Sequence, residues 1–107
     1  MNKVPADLAE FIATSIGDAF DSDEPMSVTK TYTYKNGLDG YVKRTMLVEM
    51  KELGRKQIIS FKMTEKYPRK VVDRIVMDCV QEVSYNGDTL IISADGWSVM
   101  FDVSADE

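Results

Sequence analysis

Pro68-Arg69-Lys70-Val71-Val72-Asp73-Arg74-Ile75-Val76-Met77-Asp78-Cys79-Val80-Gln81-Glu82-Val83 carries two incompatible periods at once. Val71, Val72, Ile75, Val76, Cys79, Val80 and Val83 recur at helical spacing, with Asp73, Arg74, Asp78, Gln81 and Glu82 on the opposite face. Pro68 suits a helix start. Six of those seven apolar residues are valine or isoleucine, which favour strand over helix. The helical pattern has one exception, Met77, whereas a strand would put both Asp73 and Gln81 on its apolar side. The spacing therefore predicts a helix, with Cys79 buried on its apolar face as a structural thiol.

The flanking segments read more simply. Leu8, Phe11, Ile12, Ile16, Ala19 and Phe20 fall on one face and predict a helix over residues 5–20. Pro5 fits its first turn, and Gly17 is its weak point. Asp21-Ser22-Asp23-Glu24-Pro25 ends that helix in an acidic turn. From Met26 the period becomes two, and strands are expected at 28–34, 41–50 and 57–63, joined by turns at Asn36–Gly40 and Glu52–Gly54. Asn86-Gly87-Asp88 marks a hairpin into 89–93, and Asp95-Gly96 turns into a last strand, 97–103. Residues 104–107 form a frayed acidic tail.

A helix, three strands, a helix and two or three strands fit an α+β fold in one domain over 1–107. The expected architecture is a single antiparallel sheet of five to six strands, with both helices packed on one face.

The 107 residues carry a net charge of −5 that conceals a strong segregation. Residues 1–29 hold six acids against Lys3, and residues 75–107 hold seven acids and no base. Residues 30–74 hold twelve bases against five acids, interleaved with Tyr32, Tyr34, Tyr41 and Tyr67. Either the fold brings the ends against the middle and neutralises it, or opposite surfaces of opposite sign survive to steer a partner.

Chemistry finds little to use. With no histidine there is no imidazole base or metal ligand, and with one cysteine no internal disulfide. No glycine-rich phosphate loop occurs. Asp21-x-Asp23-Glu24 resembles a calcium-loop fragment but lacks its glycine and its distal glutamate. No enzyme activity, cofactor or metal is expected. The absence of an apolar leader or a span of about 20 apolar residues leads to the expectation of a cytoplasmic protein with no membrane role.

The expected function is protein binding by contact: an inhibitor or immunity-type protein, acting as an antitoxin against a basic toxin or enzyme. Its contact surface would comprise Asp18, Asp21, Asp23 and Glu24 in the acidic turn, with Asp95 and Trp97 at the final turn. Trp97 would supply the aromatic anchor, unless it fills the core from its strand end. The alternatives are an acidic secretion-type chaperone, which would be a homodimer, and a nucleic-acid-associated module using the basic 30–74 segment. Nucleic acid ranks below protein because a chain of pI ≈ 4.7 repels phosphate at a distance.

Overall fold

The computed structural model describes residues 3–35, 40–67 and 70–104. The expected loop at Asn36–Gly40 apart from Gly40, the Pro68 start signal and the tail from Ala105 lie outside them. The elements run β1 (Lys3–Pro5), α1 (Ala6–Asp21), β2 (Met26–Lys35), β3 (Tyr41–Leu53), β4 (Lys56–Tyr67), β5 (Lys70–Met77), β6 (Val80–Tyr85), β7 (Thr89–Ala94) and β8 (Trp97–Ser104).

These strands form two sheets of four, in the orders β2-β3-β4-β5 and β1-β8-β7-β6. The expected single sheet carrying two helices is thereby overturned. The second helix is absent among the described residues: β5 and β6 occupy that stretch, in different sheets, joined through Asp78 and Cys79. The misleading period has a physical origin. Along this stretch the core takes up Ile75, Met77, Val80, Val83 and Tyr85. Alternation by two is interrupted by the corner at 78–79 and by an irregularity between Val80 and Glu82. Two interruptions stretch a period of two until it resembles one of three to four. Met77, the misfit of the helical pattern, is fully buried.

Cys79 is exposed rather than buried, and its φ of 57° places it in the left-handed region. The corner between the sheets, not a packed face, sets its position. β1 also departs from expectation: it pairs in parallel with β8, Lys3 opposite Asp102 and Val4 opposite Val103. Three residues are too few to show a period.

Helix α1 explains how two sheets share one core. Its buried positions are Leu8, Ala9, Ile12, Ser15, Ile16 and Ala19, and Phe11, Ala13 and Phe20 pack beside them. That apolar stripe is wider than one sheet requires. The helix accordingly lies against β3 and β4 of one sheet and against β6 and β8 of the other. Met46, Met50, Met63 and Met77 are all fully buried among these elements. Flexible thioethers fill the irregular space that a round helix leaves against pleated sheets. No helix among the described residues is long and apolar enough to cross a membrane.

Among the described residues one charged group is built into this core, in addition to the buried Ser15. Arg44 shares the inward face of β3 with Val42 and Met46, yet is only 6% exposed. Its guanidinium pairs with Glu65 of β4, donates to the Lys3 carbonyl of β1, and donates to the Tyr34 hydroxyl at 2.9 Å. It also lies 4.9 Å from the centre of the Tyr34 ring, which stacks on Tyr32. Arg44 thus fastens one sheet to the other with its donors satisfied, the condition under which a buried charge is tolerated.

Candidate functional site

The larger sheet turns one face inward and the other to solvent. Register fixes which side chains share the outer face. Thr33 of β2, Lys43 of β3 and Lys66 of β4 form one cross-strand row. Thr31, Thr45, Thr64 and Arg74 form the next, and Thr29, Leu47, Lys62 and Val76 the one after. Ser27, Glu49 and Ser60 follow, and beyond them Lys51 stands opposite Ile58.

The sign of charge on this face is nearly uniform. Lys35, Lys43, Lys51, Lys62, Lys66 and Arg74 stand on it, whereas Glu49 is the one acid within these rows, 4.0 Å from Lys51. Asp78, at the end of β5, accepts a 3.0 Å hydrogen bond from Ser60. The opposite sign prevails elsewhere: Glu82, Asp88, Asp95 and Asp102 lie in the β6–β8 segment, which holds no base, and α1 holds none either. Asp78 is the acid of the 75–107 segment that, among the described residues, reaches the basic face, through its bond with Ser60. Among the described residues, no carboxylate lies within ion-pair distance of Lys43, Lys62 or Lys66.

Lys43 and Lys66 stand directly opposite each other, both exposed. Like charges in that position oppose strand pairing. Around them lies an open cavity of about 280 Å³ lined by Thr33, Tyr41, Lys43, Lys66 and Tyr67. Tyr41 is 61% exposed. A second hollow on the same face, about 230 Å³, is lined by Lys51, Lys62 and Arg74 together with the carboxylates of Glu49 and Asp78. Ammonium groups, hydroxyls and an exposed ring can bind an anion or a planar group. They include no general base held beside a nucleophile.

No protein family, no curated protein and no solved structure matches this chain.

The sequence-derived contact residues lie elsewhere. Asp18 and Asp21 occupy the end of α1, and Asp23 and Glu24 follow in the turn. Ser22 braces that turn, donating to the Glu24 carbonyl at 2.5 Å and accepting from the Glu24 amide at 3.2 Å. Gln57 of β4 fixes it to the larger sheet through a 2.7 Å bond to the Ser22 carbonyl. Asp95 is in the β7–β8 turn, and Trp97 begins β8 opposite buried Ala94. Trp97 is 49% exposed, so it does not fill the core from its strand end. All six are exposed, but no hydrogen bond or ion pair among the described residues joins the acidic turn to the Asp95–Trp97 turn. No group of three or more potential metal-ligating side chains converges among the described residues.

The sequence treats the four tyrosines of the basic segment alike, and the fold divides them. Tyr32 and Tyr34 point inward to Arg44, whereas Tyr41 and Tyr67 border the outer cavity. Parity along β2 and β3 carries that signal for Tyr32, Tyr34 and Tyr41, once the register between them is known.

Proposed function

We propose that the protein is a binding module without catalytic chemistry, which engages an anionic macromolecule through the outer face of β2–β5. The observation that carries this reading is the Lys43–Lys66 opposition. Like charges in opposition disfavour strand pairing, and among the described residues no carboxylate lies within ion-pair distance of either lysine. A focused local field attracts a polyanion despite the net charge of −5. The exposed free thiol of Cys79 fits a reducing, cytoplasmic setting. The reading is tested by retention on immobilised heparin. Lys43→Glu with Lys62→Glu abolishes retention, whereas Ser98→Glu on the acidic sheet leaves it unchanged. Absence of retention at low salt sinks the reading.

A second reading keeps the acidic turn as the contact surface of an inhibitor-type protein for a basic partner. Asp18 and Asp21 support it: α1 has no base in its last turn, and carboxylates there oppose the helix dipole by about 0.3–1 kcal/mol each. With a basic partner in hand, Asp21→Lys with Asp23→Lys slows association and flattens its salt dependence. An unchanged rate and salt response rule this surface out.

A further inference from the structure

The basic face has an aromatic corner that charge binding alone does not require. Tyr41 and Tyr67 border the cavity whose remaining lining is Thr33, Lys43 and Lys66. The Tyr41 ring is mostly exposed, although burial among the apolar residues of β3 lay one position away in the strand. An exposed ring beside two ammonium groups and a hydroxyl matches one nucleotide unit. The base stacks on the ring, the phosphate meets the lysines, and the threonine hydroxyl donates or accepts at a base or sugar edge.

The rest of the face continues the path. From Lys66 to Lys62 is four residues along β4, roughly 13 Å at strand rise. Arg74 flanks the intervening threonine row. An extended chain leaving the cavity therefore meets Lys62 and Arg74 over the second hollow, whose far side carries Glu49 and Asp78. We infer that this face binds single-stranded nucleic acid, with one base stacked on Tyr41 and its phosphate held between Lys43 and Lys66. The inference rests on the polyanion reading above and specifies its ligand. A base within a duplex keeps its faces covered by its neighbours and cannot make this stack. An acidic peptide would use the lysines but leave the Tyr41 ring without a role.

The experiment is a set of anisotropy titrations with a fluorescein-labelled oligothymidylate and a labelled heparin fragment, with labelled polyglutamate as the acidic-protein arm. Tyr41→Ala weakens oligothymidylate roughly tenfold, as the loss of one base–aromatic stack predicts, and leaves heparin binding unchanged. Tyr41→Phe keeps the ring and restores the affinity. Lys43→Gln with Lys66→Gln weakens both ligands, and lowers the slope of log affinity against log salt for the oligonucleotide by about 1.4. Circular dichroism of each variant establishes that it is folded. Four results overturn the inference. Equal loss of heparin and oligothymidylate in Tyr41→Ala makes the ring structural, and an unchanged oligothymidylate affinity removes the stack; either leaves the polyanion reading standing. Tighter binding of polyglutamate than of oligothymidylate assigns the face to an acidic protein. Failure to bind any of the three polyanions removes the polyanion reading itself.

Discussion

The rings of Phe61 and Phe101 meet edge to face, their centres 6.3 Å apart and their planes at 82°. Phe61 belongs to β4 of the larger sheet and Phe101 to β8 of the smaller, and both are fully buried. The contact is therefore a direct seam between the sheets, beside the helix that both of them bury.

That geometry predicts coupling. Phe61→Leu and Phe101→Leu each retain most of the buried volume but lose the edge-to-face contact. The double mutant should be less destabilised than the two single losses added together, by about 0.5–1.5 kcal/mol. Urea melts of the four proteins in the cycle measure it. Strict additivity would mean that the rings merely fill space.

Arg44 gives the second prediction. Arg44→Ala leaves the Glu65 carboxylate and the Lys3 carbonyl without their donor in a largely dry site, and costs about 3 kcal/mol. Replacing the pair together, as Arg44→Met with Glu65→Leu, should recover most of that loss, since no charge is then stranded. Denaturant midpoints decide it. A double mutant no better than Arg44→Ala would show that the bond to β1, rather than the ion pair, supplies the stability.

Cys79 gives the third. A side chain at φ 57° costs about 1–2 kcal/mol relative to ordinary backbone, and glycine relieves it at some entropic cost. Cys79→Gly should stabilise the protein by about 0.5–1 kcal/mol. Because the thiol is exposed, a thiol reagent should modify it in the folded protein about as fast as in denaturant. Strong protection in the folded state would contradict the corner described here.

How far the sequence reveals this fold varies by element, for physical reasons. The stripe of α1 and the clean alternation of β2 are visible because each turns one face inward and the other to solvent at an unbroken period. Residues 70–85 mislead because a corner and a bulge shift the phase twice within sixteen positions, and no single-period template allows for that. The parallel β1–β8 pair is long-range and too short for any period. The acidic turn is legible as a solvated loop, whereas the Lys43–Lys66 row appears only with register. The signal for that register was nonetheless present. Gly54, at φ 65°, makes a tight turn between Leu53 and Lys56, and that turn alone sets every pairing above it, Lys43 with Lys66 included.

The last prediction separates a functional role for that row from a structural one. Lys66→Glu replaces a like-charge opposition by an opposite-charge pair with Lys43. Directly opposed pairs contribute roughly 0.2–1 kcal/mol in either direction, so the variant should gain about 0.5–1 kcal/mol. For a domain of this size that raises the melting temperature by about 2–6 °C, less at high salt, where exposed charges are screened. Heparin retention should fall in the same variant, because one phosphate-seeking cation has become an anion. A protein made more stable by the change that stops it binding is the signature of a residue kept for its ligand. Thermal melts at low and high salt, run beside the retention assay, give both readouts. If Lys66→Glu instead destabilises the fold and leaves retention intact, Lys66 is held by its own sheet and the binding face lies elsewhere.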